Sequence, residues 1–286
     1  MSNSGSVAAP AGVAAPRRAL GTRFATGVIG GALVVGFVLA GPPWLAAGLS
    51  AVAVVGLVEF YRMAERAGYR PVWEAGIAAA VLFIVGAAYP SAWVGFVVPA
   101  LAVYTMLVQL RGGRAERGLA NAGVTLLGAL YVGYLMSYLM RLRVLPFGPA
   151  HAPSALPALL VIGAVWASDT AAYFVGLAWG RRKLLPSVSP QKSVEGAAAA
   201  IAAGGIFGAV FAAAAGLPLA IASAVGGVCA LAAVFGDLWE SAVKREGGVK
   251  DAGGVLPGHG GVLDRFDGLL FAAAVGYAIM LWWPGF

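Results

Sequence analysis

Nine long apolar runs dominate this chain and leave it few ways to fold. They cover 24–40, 44–60, 75–89, 92–110, 119–139, 156–178, 196–215, 219–243 and 264–283. A helix needs about 20 mostly apolar residues to cross the hydrocarbon of a bilayer, and these runs approach or exceed that length. Composition supports the same reading. Hydrophobic residues make up 60% of the 286 and charged residues only 11%, with a mean hydropathy of +0.86. A soluble domain carries roughly 25% charged residues to keep its surface wet. The same values exclude a disordered chain, and the length of the runs excludes a porin-like barrel, whose strands alternate. One cysteine, Cys229, rules out a disulfide scaffold. The expected fold is an all-α polytopic integral membrane protein of about nine transmembrane helices.

The net charge of +7 is explained by topology. With the N-terminus placed in the cytoplasm, 17 of the 19 Lys and Arg fall on the inside, and only Arg141 and Arg143 fall outside. Cytoplasmic loops carry such an excess, so the N-terminus is expected to be cytoplasmic and the C-terminus extracytoplasmic. The basic loops suit anionic lipid headgroups, and no nucleic-acid partner is expected. The runs flanking 89–92 are the weakest, and a single re-entrant hairpin would serve there equally well. Residues 1–22, rich in Ala, Gly, Ser and Pro, read as a disordered cytoplasmic tail, followed by a first span that is retained rather than cleaved. The rest divides into an N-terminal transmembrane region of five helices, 23–150, and a C-terminal region of four helices, 151–286, with cytoplasmic loops at 179–195 and 245–263. Glycines such as Gly30, Gly31, Gly226 and Gly227 suit close helix packing in lipid.

Polar chemistry is confined to the second region. No Asp precedes residue 150, while Asp169, Asp237, Asp251, Asp264 and Asp267 all follow residue 160. A carboxylate at a helix centre costs about 2.5–3.5 kcal/mol on insertion scales. At 1.5 Å per residue, Asp237 lies roughly 10 Å and Asp169 roughly 14 Å inside the cytoplasmic ends of their spans. Either the two hydrogen-bond between helices or they line a cavity open to the cytoplasm. Asp237, Ser241 and Lys244 follow i, i+4, i+7 spacing, with Glu240 beside them, and share one helical stripe. That stripe suits a phosphate and a metal, and equally a solvated helix end. Lys244, at a span end, is expected to be replaceable without loss of the fold.

The loop that follows carries Lys250-Asp251, then Pro257-Gly258-His259-Gly260-Gly261, then Asp264-Arg265-Phe266-Asp267. Glycines let backbone N–H groups turn toward an anion, and a helix start adds favourable partial charge. Ordinary helix capping would also place Asp264 and Asp267 there.

Together these residues are more specific than any one alone. Ser241 to Asp267, with Lys244-Arg245, Lys250-Asp251, Pro257-Gly258-His259-Gly260-Gly261 and Asp264-Arg265-Phe266-Asp267, resembles the signature of the phosphatidate cytidylyltransferase (CDP-diacylglycerol synthase) family, with every fixed position filled. Ser168-Asp169-Thr170 and Ser189-Pro190-Gln191-Lys192-Ser193 are similar to that family's upstream segments, with Ser193 where many members have Thr. The resemblance spans 157–268; the first 150 residues match only in being hydrophobic.

The resemblance implies the reaction CTP plus phosphatidate to CDP-diacylglycerol plus diphosphate, in phospholipid biosynthesis, with Mg²⁺ and room for a second cation. Asp237, Asp264 and Asp267 are then the metal-binding and catalytic carboxylates, with Lys244 also catalytic. Ser189, Lys192, Ser193, Ser241, Arg245, Lys250, His259, Gly260, Gly261 and Arg265 would bind substrate, with Asp169 and Asp251 as further cavity carboxylates. The expected location is the inner (plasma) membrane, with the active site facing the cytoplasm, in contact with membrane lipids and as a homodimer. The nearest alternative is a CTP-dependent enzyme on an isoprenoid lipid, of the CDP-archaeol synthase or polyprenol kinase type. An ion-coupled transporter built on Asp169 and Asp237 would favour inverted repeats, and the polar residues here crowd one half only.

Overall fold

The computed structural model describes residues 17–89, 92–111, 117–147, 152–254 and 260–282. Its helices are α1 (Arg17–Ala40), α2 (Pro42–Arg66), α3 (Trp73–Ala88), α4 (Val97–Arg111), α5 (Gly118–Gly128), α6 (Leu135–Val144), α7 (Leu156–Trp179), α8 (Val194–Ala215), α9 (Leu219–Glu246) and α10 (Leu263–Leu281). A 3-10 turn, Ala92–Phe96, leads into α4, and a π-helical segment, Ala129–Tyr134, joins α5 to α6 in one rod. Each of the nine expected runs falls on one helical rod among the described residues. Six rods are long and apolar enough to cross a membrane: Pro42–Arg66, Trp93–Arg111, Gly118–Val144, Leu156–Trp179, Val194–Ala215 and Leu219–Glu246. These mark a multi-pass membrane protein. Exposed Phe174, Leu177, Ile206 and Val210 on the outer faces of α7 and α8 suit lipid contact.

Local sequence explains the breaks. Gly41, at φ +104°, ends α1, and Pro42 and Pro43 open α2, where a missing N–H is harmless. Two details differ from expectation. Helix α1 begins at Arg17, inside the segment expected to be a disordered tail; residues 1–16 lie outside the described set. The fold also carries two short antiparallel ribbons, β1 (Pro146–Phe147) with β2 (Ala152–Pro153), and β3 (Lys183–Leu185) with β4 (Ser189–Ser193). The second ribbon lies in the loop expected to bind an anion.

The two regions pack differently. Large side chains, among them Leu57, Tyr61, Phe83, Met136 and Leu139, fill the core around α2, α3 and α6. Helices α7 to α10 instead meet through small residues. Gly226 lies against the Gly204 carbonyl between α8 and α9, and Gly236 against the Asp267 carbonyl between α9 and α10. Backbones that close leave no room for a Cβ, which is how helices associate in lipid without a hydrophobic driving force.

Candidate active site

The close approach at Gly236 sets the site. It brings the next residue, Asp237, and its helical neighbour Glu240 up to Asp267 on α10, so that one ligand oxygen of each lies within 4.8 Å of the others. Like charges that close disfavour one another, and cations stand at both edges. Lys192, on β4, forms an ion pair with Asp237. Lys244 donates to Glu240 Oε2 at 2.6 Å and to Asp264 Oδ1 at 2.7 Å. Asp169, on α7, lies within electrostatic reach of Asp237, Lys192 and Arg265.

Asp264 stands outside the trio, linked to it through Lys244. Its other oxygen accepts from the Ala252 N–H at 3.0 Å and the Gly261 N–H at 2.7 Å. A capping role and a clasp on Lys244 are therefore combined in one carboxylate. Lys244, expected at an open span end, is only 13% exposed, between the Glu240 and Asp264 side chains at 1% and 8%. Removing one partner of such a buried pair costs about 3–5 kcal/mol, because the others are left uncompensated.

The glycine loop turns its N–H groups toward the protein's own anions. Glu59, on α2, is 1% exposed and accepts from the Val262 N–H at 3.0 Å and the Leu263 N–H at 2.8 Å, capping α10. Gly253 and Gly261 pack on the same carboxylate, and Gly260, at φ +79°, sits against Asp264 Oδ2. The partial positive charge at the start of α10 is thus met by Glu59. With the second run ending at residue 60, Glu59 reads along the chain as an ordinary span-end acid. The helix continues to Arg66, and the cost of an acid inside an apolar helix, applied to Asp237, applies equally here.

The remaining expected residues fall around this centre. Ser193 caps α8, accepting from the Gly196 N–H at 3.1 Å, and Ser189 lies in β4 beside it. Arg245 reaches the Val188 carbonyl at 3.4 Å and the Val249 carbonyl at 3.5 Å, tying the end of α9 to the β3–β4 ribbon. Ser241 is buried on α9, Arg265 lies in the first turn of α10, and Lys250 and Asp251 are exposed in the loop. His259 lies outside the described residues.

The donor set is all oxygen, the choice of hard divalent cations. Four carboxyl groups, on Asp237, Glu240, Asp264 and Asp267, stand beside two lysines and so outnumber them. Glu240 Oε1 is buried and has no hydrogen-bond partner among the described residues. The residues therefore fit a divalent metal ion.

A helical membrane protein with such a site and the 241–267 signature fits one class of enzyme, the nucleotidyltransferases that build lipid head groups. The sequence profile of the cytidylyltransferase family matches residues 21–283, and the chain belongs to that family. It is 30% identical to a phosphatidate cytidylyltransferase of Synechocystis over 89% of this chain and 94% of the relative. It is 38% identical to the phosphatidate cytidylyltransferases of Bacillus subtilis, over 65% of this chain and 66% of the relative, and of Thermotoga maritima, over 52% and 56%.

Proposed function

We propose that the chain transfers a cytidylyl group from CTP to phosphatidate, releasing diphosphate and leaving CDP-diacylglycerol in the membrane. The observation that carries this is the convergence of Asp237, Glu240 and Asp267 on two helices joined by the 241–267 signature. A phosphate oxygen of phosphatidate attacks the α-phosphorus of CTP, and the bond to the β-phosphate breaks. The nucleophile is already an anion, so no strong base is needed. Mg²⁺, held by Asp237, Glu240 and Asp267, would supply charge neutralisation where two polyanions meet. Asp264 holds Lys244 and the loop in place, while Lys250, Arg245 and Arg265 offer positive charge to the phosphates.

Nine crossings, with the N-terminus and this site on the cytoplasmic face of the inner (plasma) membrane, are supported by the 17 inside cations. CTP is then on the correct side, and phosphatidate arrives laterally from the bilayer. Purified protein in detergent should release diphosphate from CTP with phosphatidate and Mg²⁺. Diphosphate release with a phosphorylated isoprenoid ether lipid, or CDP formation with a polyprenol, and neither product with phosphatidate, would transfer the assignment to the isoprenoid enzymes.

A further inference from the structure

The π-helical segment Ala129–Tyr134 is wedged into the core: Gly128 lies against the Tyr61 and Phe60 rings and Gly133 against Ala80. Single π turns recur at functional sites because the extra residue re-aims a side chain. Here the segment places Tyr131 among the rings of Phe60 at 5.9 Å, Trp239 at 6.4 Å and Phe271 at 6.2 Å between centroids. Trp239 precedes Glu240, and Phe271 lies one turn beyond Asp267. The tyrosine is 4% exposed, and its buried hydroxyl has no hydrogen-bond partner among the described residues. Acidic residues of α9 and α10, Asp237, Glu240, Asp264 and Asp267, act on it electrostatically.

A tyrosine kept only for packing would do better as phenylalanine, since burying a hydroxyl without a partner is destabilising. Two buried atoms lack partners among the described residues: the Tyr131 hydroxyl, whose ring packs against Trp239 and Phe271, and Glu240 Oε1, on the residue next to Trp239. Small divalent cations are bound with several waters retained, and each such water has protons to donate.

We propose that Tyr131 is a positioning residue for the cation: its hydroxyl oxygen accepts a hydrogen bond from a water on the metal ion held by Asp237, Glu240 and Asp267. The first half of the chain thereby takes part in metal binding without supplying a ligand. This rests on the metal reading of the trio, and the two are separable by experiment.

Tyr131→Phe removes the hydroxyl and leaves the rings packed. In purified full-length protein, the Mn²⁺ concentration needed to raise the melting temperature, and that needed for half-maximal turnover, should each rise about ten-fold, the scale of one hydrogen bond to a charged group. Turnover at saturating Mn²⁺ should stay within about two-fold, and melting without metal should be unchanged or higher. Tyr138→Phe, whose hydroxyl donates to Tyr134 at 3.3 Å, should shift neither titration. An unaltered Mn²⁺ dependence in Tyr131→Phe, or lost turnover with unaltered Mn²⁺ binding, overturns the proposal. Asp267→Asn serves as the second arm. If it alone loses the Mn²⁺ response, the tyrosine proposal fails and the metal reading stands. If neither variant loses it, both fail.

Discussion

Helices α1 to α6 and helices α7 to α10 solve the same packing problem in different ways. The first group interlocks bulky side chains, with Tyr61 donating to the Thr125 carbonyl at 2.8 Å and Phe83 set edge-on to Tyr134. The second brings backbones together at glycines. Only the second arrangement places acids from separate helices within reach of one ion, because a side-chain layer between α9 and α10 would hold Asp237 and Asp267 apart. The first group contributes at distance: Glu59 holds the start of α10, Tyr131 packs against Trp239 and Phe271, and Tyr69 donates to Glu246 at 2.8 Å at the end of α9.

The largest expected effects lie on the carboxylates. Asp237→Asn and Asp267→Asn should each lower turnover by at least about 10²–10³-fold at saturating Mg²⁺, the scale of losing one fixed electrostatic contact to a transition state. The double variant should be little worse than either single one, since both remove the same ion. Near-normal activity in both single variants, assayed as diphosphate release, would falsify the division of labour between the two groups.

Next comes Gly236→Ala. The added methyl meets the Asp267 carbonyl and Gly268 Cα, and overpacking of this kind costs about 1–3 kcal/mol. Activity should fall more than stability, because the displaced backbone carries Asp267. The matching change in the first group, Gly30→Ala, meets nothing within 4 Å and should leave turnover unaltered, with a melting temperature equal or slightly higher. Similar losses at both glycines would erase the contrast.

Glu59→Gln should have an intermediate effect. Glutamine keeps the volume but offers one acceptor oxygen where two N–H groups need one each, so about 1–3 kcal/mol of local stability is lost at the start of α10. Turnover should fall about ten-fold, and hydrogen exchange at Val262 and Leu263 should quicken. Unchanged exchange would mean that the loop is held by Asp264 alone. The smallest effect is expected at Arg62→Ala, an exposed cation in the first group, with turnover altered less than about two-fold.

Much of this protein is legible along the chain. The bilayer demands long apolar helices and biases their basic loops, both local properties, so the helical rods and the acids at Asp169 and Asp237 stand out unaided. The 241–267 signature is equally local, which is why it points to the family directly. Tertiary structure decided which acids meet. Glu240 joins Asp237 and Asp267 because the α9–α10 crossing falls at Gly236, while Asp264, one turn nearer the loop, is claimed by Lys244 and two backbone N–H groups. It also decided that Glu59 holds the start of α10 and that Tyr131 packs beside Trp239 and Phe271. Glu59 meets Val262 from 203 residues away, and helical periodicity relates only neighbours a few turns apart. Contacts that join such distant segments depend on the angle and depth at which whole helices cross, and those are set by packing throughout the core.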